Sequence, residues 1–236
     1  MVRLQINKDT NERKLTIFGD SIAAGLGARQ KSYSQIVAEE LGMKLVSYAV
    51  SGYTVRESLR DYLSKPEPTD FAVIAHGVTE PILRPNPRSL VLLPSRWKKL
   101  GWMDPRAYYS TRLSRRSLEK IESGLRWRVK NFLIRIYGSS QLLSEEEYVS
   151  TINILYKLLI DNGAKVIVLG PPPIDERYFP GSSKKQSEYL HALEQSGVPV
   201  LKIGGELDTW EDFLLDHFHP NASGHLKMAK LLIGKL

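Results

Sequence analysis

The stretch Leu15-Thr16-Ile17-Phe18-Gly19-Asp20-Ser21 constrains this chain more than any other. An apolar, β-branched run without polar alternation fits a strand buried on both faces. Small residues end it abruptly, and a Gly-rich segment over 22–27 follows. The same pattern recurs at Lys44–Val50 before Ser51-Gly52, at Phe71–His76 before Gly77 and at Lys165–Leu169 before Gly170. A shorter run lies at Pro199–Ile203. Between the runs, the spacing predicts helices over 32–41, from Thr54 as cap to about Leu63, over 145–161 and over 184–195, with a last one over 222–233. Strands alternating with helices at this spacing predict an α/β fold of βαβ units, with a parallel sheet covered on both faces. At 236 residues, one domain spanning 1–236 is expected.

The alternation breaks between Pro81 and Ser140, which reads as an insertion after the third strand. The segment opens irregular and Pro-rich over 81–105. A helical stretch, Arg115–Tyr137, then carries Leu118, Ile121, Leu125, Val129, Phe132 and Ile136 on one face and Arg and Lys on the other. The insertion holds fourteen Lys or Arg against three acids, a balance of +11 in a chain whose net charge is +7. It also holds three of the four tryptophans: Trp97, Trp102 and Trp127. The charge excess belongs to this one basic surface, and the rest of the chain is mildly acidic. Arg84, Trp97, Trp102 and Arg112 are its candidate substrate contacts, because arginine pairs with carboxylate or phosphate and tryptophan offers an amphipathic face to sugars. A platform for substrate ranks first among its roles. Contact with an anionic glycan or with the surface of a membrane ranks second. Nucleic acid ranks last, since no nucleic-acid motif accompanies the charge.

With no cysteine in the chain, disulfides and thiolate chemistry are excluded. The residues Met1–Lys8 lack the apolar run of a signal peptide. No apolar stretch approaches the roughly 18 residues that span a bilayer. A cytoplasmic protein, at most peripheral to the membrane, is expected.

In a parallel sheet the ends of the first three strands share one edge, which gathers Ser21, Gly52 and the turn Gly77-Val78-Thr79-Glu80. Asp216-His217-Phe218-His219-Pro220-Asn221 lies near the other end of the chain. Acyl transfer needs a nucleophile, a base, an acid that orients the base, and donors for an oxyanion. Ser21, His219 and Asp216 can supply the first three. The backbone N–H groups of Ser21 and Gly52 can supply donors, since glycine permits close approach of a ligand. His217, His219 and His225 are near neighbours in sequence, but they lack the i, i+4 helical pair of zinc enzymes. No metal site is expected. His76 reads as a satisfied, partly buried histidine. Asp20 reads as a residue that holds its turn through backbone N–H groups.

Taken in order, these blocks resemble the SGNH/GDSL hydrolase superfamily. The first is Phe18-Gly19-Asp20-Ser21, the second Ala49-Val50-Ser51-Gly52-Tyr53-Thr54, and the last Asp216 to Asn221. The resemblance implies a three-layer α/β/α sandwich with a five-stranded parallel sheet, of flavodoxin-like type. It also implies ester chemistry without metal or cofactor, through Ser21, His219 and Asp216 with an oxyanion hole of Ser21, Gly52 and Thr79. The third block departs from the family's Gly-x-Asn-Asp, placing Thr79 where an asparagine donates. In this block the chain looks like SGNH members associated with bacterial polysaccharide biosynthesis, where O-acyl groups are added or removed. The expected function is a serine esterase or O-acyltransferase acting on a carbohydrate or other small ester. The alternative is a weak or inactive member that binds anionic glycan or membrane through the basic insertion.

Overall fold

The computed structural model describes residues 12–91 and 93–236, so Met1–Lys8 lies outside the described residues. In chain order the elements are β1 (Lys14–Gly19), α1 (Tyr33–Glu40), β2 (Lys44–Ala49), α2 (Val55–Ser64), β3 (Phe71–Ala75), β4 (Arg84–Pro85), α3 (Leu113–Tyr137), β5 (Ser139–Ser140), α4 (Glu145–Asp161), β6 (Lys165–Leu169), α5 (Ser182–Gln195), β7 (Val200–Leu201) and α6 (Ala222–Ile233). Five strands form one parallel sheet in the order β2-β1-β3-β6-β7. Of the six α-helices among the described residues, α1 and α6 cover one face and α2, α4 and α5 the other, and none is long and apolar enough to cross a membrane.

Alternation along the strands sorts the core into two layers. On one face, Leu15, Ile17 and Val73 pack with Tyr33 and Val37 of α1 and with Met228, Ala229 and Leu232 of α6. On the other, Phe18, Ala72, Ile74 and Val168 meet Tyr62 of α2, Ile152, Leu155 and Leu159 of α4, and Leu193 of α5. Helix starts are fixed by side chains that satisfy orphan N–H groups. Ser32 with Gln35 and Ser144 with Glu147 form capping boxes, and Asn221 caps α6 by accepting from Ser223 and Gly224.

The basic insertion leaves the sheet's edge and returns to it through a two-residue antiparallel ladder that pairs Arg84 with Ser140 and Pro85 with Ser139. Its long helix α3 runs nearly as the spacing predicts, but it is turned over. Ser123, Arg126, Lys130 and Leu133 are buried, while the apolar stripe faces solvent. The helix therefore packs on its own insertion by its polar face. The reason lies beneath the helix, where the insertion's own loops offer polar partners. Asp104 takes Lys130 at 2.7 Å, Arg106 takes Glu122 at 2.8 Å, and the Trp102 ring lies 4.7 Å from the Arg126 guanidinium.

The C-terminal helix is locked to the N-terminal turn by His225, which is fully buried. Its Nδ1 accepts from the Tyr33 N–H at 3.4 Å, which assigns the proton to Nε2, 3.3 Å from the Leu26 carbonyl. Burial pushes the His225 pKa down; the Leu26 carbonyl works against this and His219 adds to it. A histidine held neutral by the fold contributes stability that is present above its unfolded pKa of about 6.5 and lost as pH falls below it. Unfolding free energies from urea titrations between pH 7.5 and pH 5 are expected to decline with acid by at most about 1.4 kcal/mol per pH unit from this group. In His225→Gln that part of the slope disappears, and an unchanged slope would remove the assignment.

Candidate active site

The order β2-β1-β3 reverses direction between β1 and β3, and such a switch point opens a crevice at the carboxyl ends of the strands. Ser21 follows β1 there, Gly52 follows β2 and Thr79 follows β3. All three line one cavity of about 280 Å³ together with Asp216 and His219. Gly27, at φ +102°, lets the turn after Ser21 lie directly on the loop that carries His219. A Cβ at that position would overlap the Pro220 carbonyl oxygen.

That loop is shaped by Asp216. Its Oδ1 accepts from the backbone N–H groups of Phe218 and His219, both at 3.1 Å. Its Oδ2 lies 2.6 Å from His219 Nδ1. The carboxylate therefore claims the Nδ1 proton and leaves Nε2 as an acceptor, which faces Ser21 Oγ at 2.9 Å. Between them His217 adopts φ +50°, a left-handed conformation that is uncommon outside glycine. The Trp210 and Tyr178 rings, 4.6 and 5.5 Å from its own, hold it there. The chain ends of the loop are pinned as well. Leu214 N–H donates to the His219 carbonyl at 2.8 Å, and Asn221 Nδ2 donates to the Glu211 and Phe213 carbonyls.

The backbone N–H groups of Ser21 and Gly52 carry no hydrogen bond among the described residues, so both are available as donors. Thr79 differs. Its hydroxyl donates to Asp20 Oδ2 at 2.9 Å, so its single proton is engaged in the core rather than in the cavity. Asp20 holds its own turn through Ile22 N–H at 3.0 Å. Burial pushes the Asp20 carboxyl up; His76 opposes that and Glu80 adds to it. Glu80, fully buried, accepts from Gly77 N–H at 3.0 Å and from Val55 N–H, at the start of α2, at 2.9 Å. Burial would raise its pKa, yet the neighbouring His76, its own backbone N–H and that of Val55 hold it below the usual carboxylate range. His76 is fully buried rather than partly so. Its Nε2 lies 3.0 Å from Ser58 Oγ, and its Nδ1 lies 3.1 Å from Glu80 in a geometry short of a hydrogen bond.

Of the four substrate-contact candidates, Arg84 lines the cavity, while Trp97, Trp102 and Arg112 lie outside its lining. Arg84 Nη1 donates to the Ile82 carbonyl at 2.9 Å. Burial pushes its guanidinium pKa down, against the pull of Asp104 and Glu80. Sequence reasoning missed Leu100, Asp104, Phe179 and Phe218, which complete the walls. No local signal marks them, because loop packing alone brings them there. His217 sits 3.2 Å from Asp175 and His225 serves the helix lock, so the three neighbouring histidines go to separate partners. Among the described residues, no three side chains gather as metal ligands.

A model of the GDSL-like lipase/acylhydrolase family matches residues 17–227. A search of the curated proteins finds no match. Solved structures of similar fold include an acetylxylan esterase from Geobacillus stearothermophilus, at 16% identity and TM-score 0.54, covering 94% of this chain and 93% of that one. The psychrotrophic esterase EstA from Pseudoalteromonas sp. aligns at 15% identity and TM-score 0.54, covering 94% and 96%. A lipase/acylhydrolase from Enterococcus faecalis aligns at 14% identity and TM-score 0.53, covering 94% of each. At these identities the structures speak for the fold.

If Thr79 serves Asp20, then Thr79→Val strips a donor from a buried carboxyl and should cost about 1–3 kcal/mol in urea unfolding. Thr79→Ser keeps the hydroxyl and should retain most of that stability. Equal stability of the valine variant and the wild type would contradict the assignment.

Proposed function

The chain belongs to the GDSL-like lipase/acylhydrolase family, and from that premise we propose that it is a serine-dependent carboxylic-ester hydrolase or O-acyltransferase acting on a small, carbohydrate-borne ester. One observation carries the reading: the continuous relay from Ser21 Oγ through His219 to Asp216, at 2.9 and 2.6 Å. Ser21 Oγ attacks the acyl carbonyl while its proton passes to His219 Nε2. Asp216 stabilises the resulting imidazolium and keeps the ring aimed. The oxyanion of the tetrahedral intermediate is met by the free N–H groups of Ser21 and Gly52. Collapse breaks the ester C–O bond, His219 hands its proton to the leaving alkoxide, and an acyl-serine remains. Water then attacks in hydrolysis, or a sugar hydroxyl in acyl transfer, with His219 again taking the proton and returning it to Ser21 Oγ.

The cavity supports a small substrate. About 280 Å³ bounded by Leu26, Ile82, Leu100, Phe179 and Phe218 suits a short acyl group better than a fatty chain. The acetylxylan esterase among the similar folds is compatible with a sugar ester. Arg84 and Asp104 at the wall can receive hydroxyls of such a ligand.

A second reading rests on Thr79. With its hydroxyl turned to Asp20, the hole has backbone donors alone, and losing one oxyanion donor costs about 100- to 1000-fold in rate. The second reading is a weakly active or inactive member that binds through its basic insertion. Fluorophosphonate labelling separates the two. In the hydrolase, wild type labels and Ser21→Ala and His219→Ala do not, and Asp216→Asn lowers acetyl-ester turnover on the order of 10,000-fold. A folded wild type that does not label would overturn the hydrolase reading in favour of the second.

A further inference from the structure

Helix α3 presents the reverse of an ordinary surface helix. Leu118, Ile121, Leu125, Phe132 and Ile136 recur at helical spacing along one face, and each is 56–70% exposed. At 1.5 Å per residue the stripe is about 27 Å long. Both acids of the helix are engaged by arginines: Glu122 by Arg106 at 2.8 Å, and Glu119 by Arg115 at 3.0 Å. Arg115, Arg116, Lys120, Arg128 and Arg135 stand exposed along the same helix. The remaining two cations, Arg126 and Lys130, are buried against Trp102 and Asp104. Exposed apolar patches of this extent mark a partner surface.

We propose that α3 lies on an anionic phospholipid bilayer, its apolar stripe sunk into the headgroup boundary and the exposed Arg128 and Arg135 beside the stripe meeting lipid phosphates. Charge selects this occupant. A second copy of the chain docked face to face would set Arg128 and Arg135 of each copy against one another, whereas an anionic surface neutralises them. Shape agrees, because a narrow stripe exposed along one helix face matches a flat interface better than a concave groove. The docked helix is one ion pair from the cavity, since Lys130 holds Asp104 and Asp104 lines the same wall as Ser21. This proposal goes beyond the ester chemistry and stands without it.

The test is flotation of the full-length protein with vesicles of phosphatidylcholine alone and of phosphatidylcholine mixed with phosphatidylglycerol. Binding is expected only to the mixed vesicles and should weaken as salt rises. The double variants Leu125→Gln/Phe132→Gln and Arg128→Glu/Arg135→Glu should each weaken it by about tenfold or more. Circular dichroism shows that each variant is folded, and fluorophosphonate labelling follows the ester site separately. Failure of folded wild type to float, or equal binding to both vesicles, overturns the proposal. So does a lipid-free dimer, seen by sedimentation velocity, that the Leu125→Gln/Phe132→Gln variant returns to monomer; the stripe would then be an interface between copies.

Discussion

Ser21 Oγ and His219 Nε2 come from opposite ends of the chain and meet at 2.9 Å, and much of the architecture follows from keeping that contact. A hydroxyl and an imidazole hold such a distance only if both are carried by rigid elements. Ser21 is carried by β1, whose Leu15, Ile17 and Phe18 are buried on the two faces of the sheet. His219 is carried by a loop with little regular structure, so it needs more anchoring. Asp216 orders the loop from within through two backbone N–H groups, the Asn221 cap ties it to α6, and His225 ties α6 to the turn beside Ser21. One carboxylate, Asp216, thereby shapes the loop and orients the ring.

The turn after β3 shows how a substitution of chemistry becomes a substitution of role. Thr79 and Glu80 both direct their polar atoms into the core, Thr79 to Asp20 and Glu80 to the N–H groups of Gly77 and Val55. They brace the strand ends from behind and fix the backbone around the cavity. Buried carboxylates of this kind are stable only with full sets of partners.

Much of this was legible in the residues. α4 and α6 run over the 145–161 and 222–233 that the apolar spacing predicts. The strand ends that gather Ser21, Gly52 and Thr79 follow from short apolar runs ended by small residues. What local pattern could not supply was tertiary. Periodicity identified the stripe of α3 but not that it faces solvent, because the covered face is chosen by Asp104, Arg106 and Trp102 in loops of irregular conformation. Likewise Arg84 and Trp102 look alike as ligand-binding residues in sequence, yet only Arg84 borders the cavity while Trp102 stacks under Arg126. The direction of the Thr79 hydroxyl was illegible for the same reason: its acceptor lies 59 residues away.

The two-residue ladder between β4 and β5 fastens the departing and returning strands of the insertion side by side. A loop closed at its root makes small entropic demands as it lengthens or shortens. The segment above that root is in effect a cassette. Exchanging it for another of different length and chemistry would replace the walls that Leu100 and Asp104 give the cavity while β1 keeps its place in the sheet. New surroundings for the same reaction would then arise by replacing a single contiguous stretch of chain.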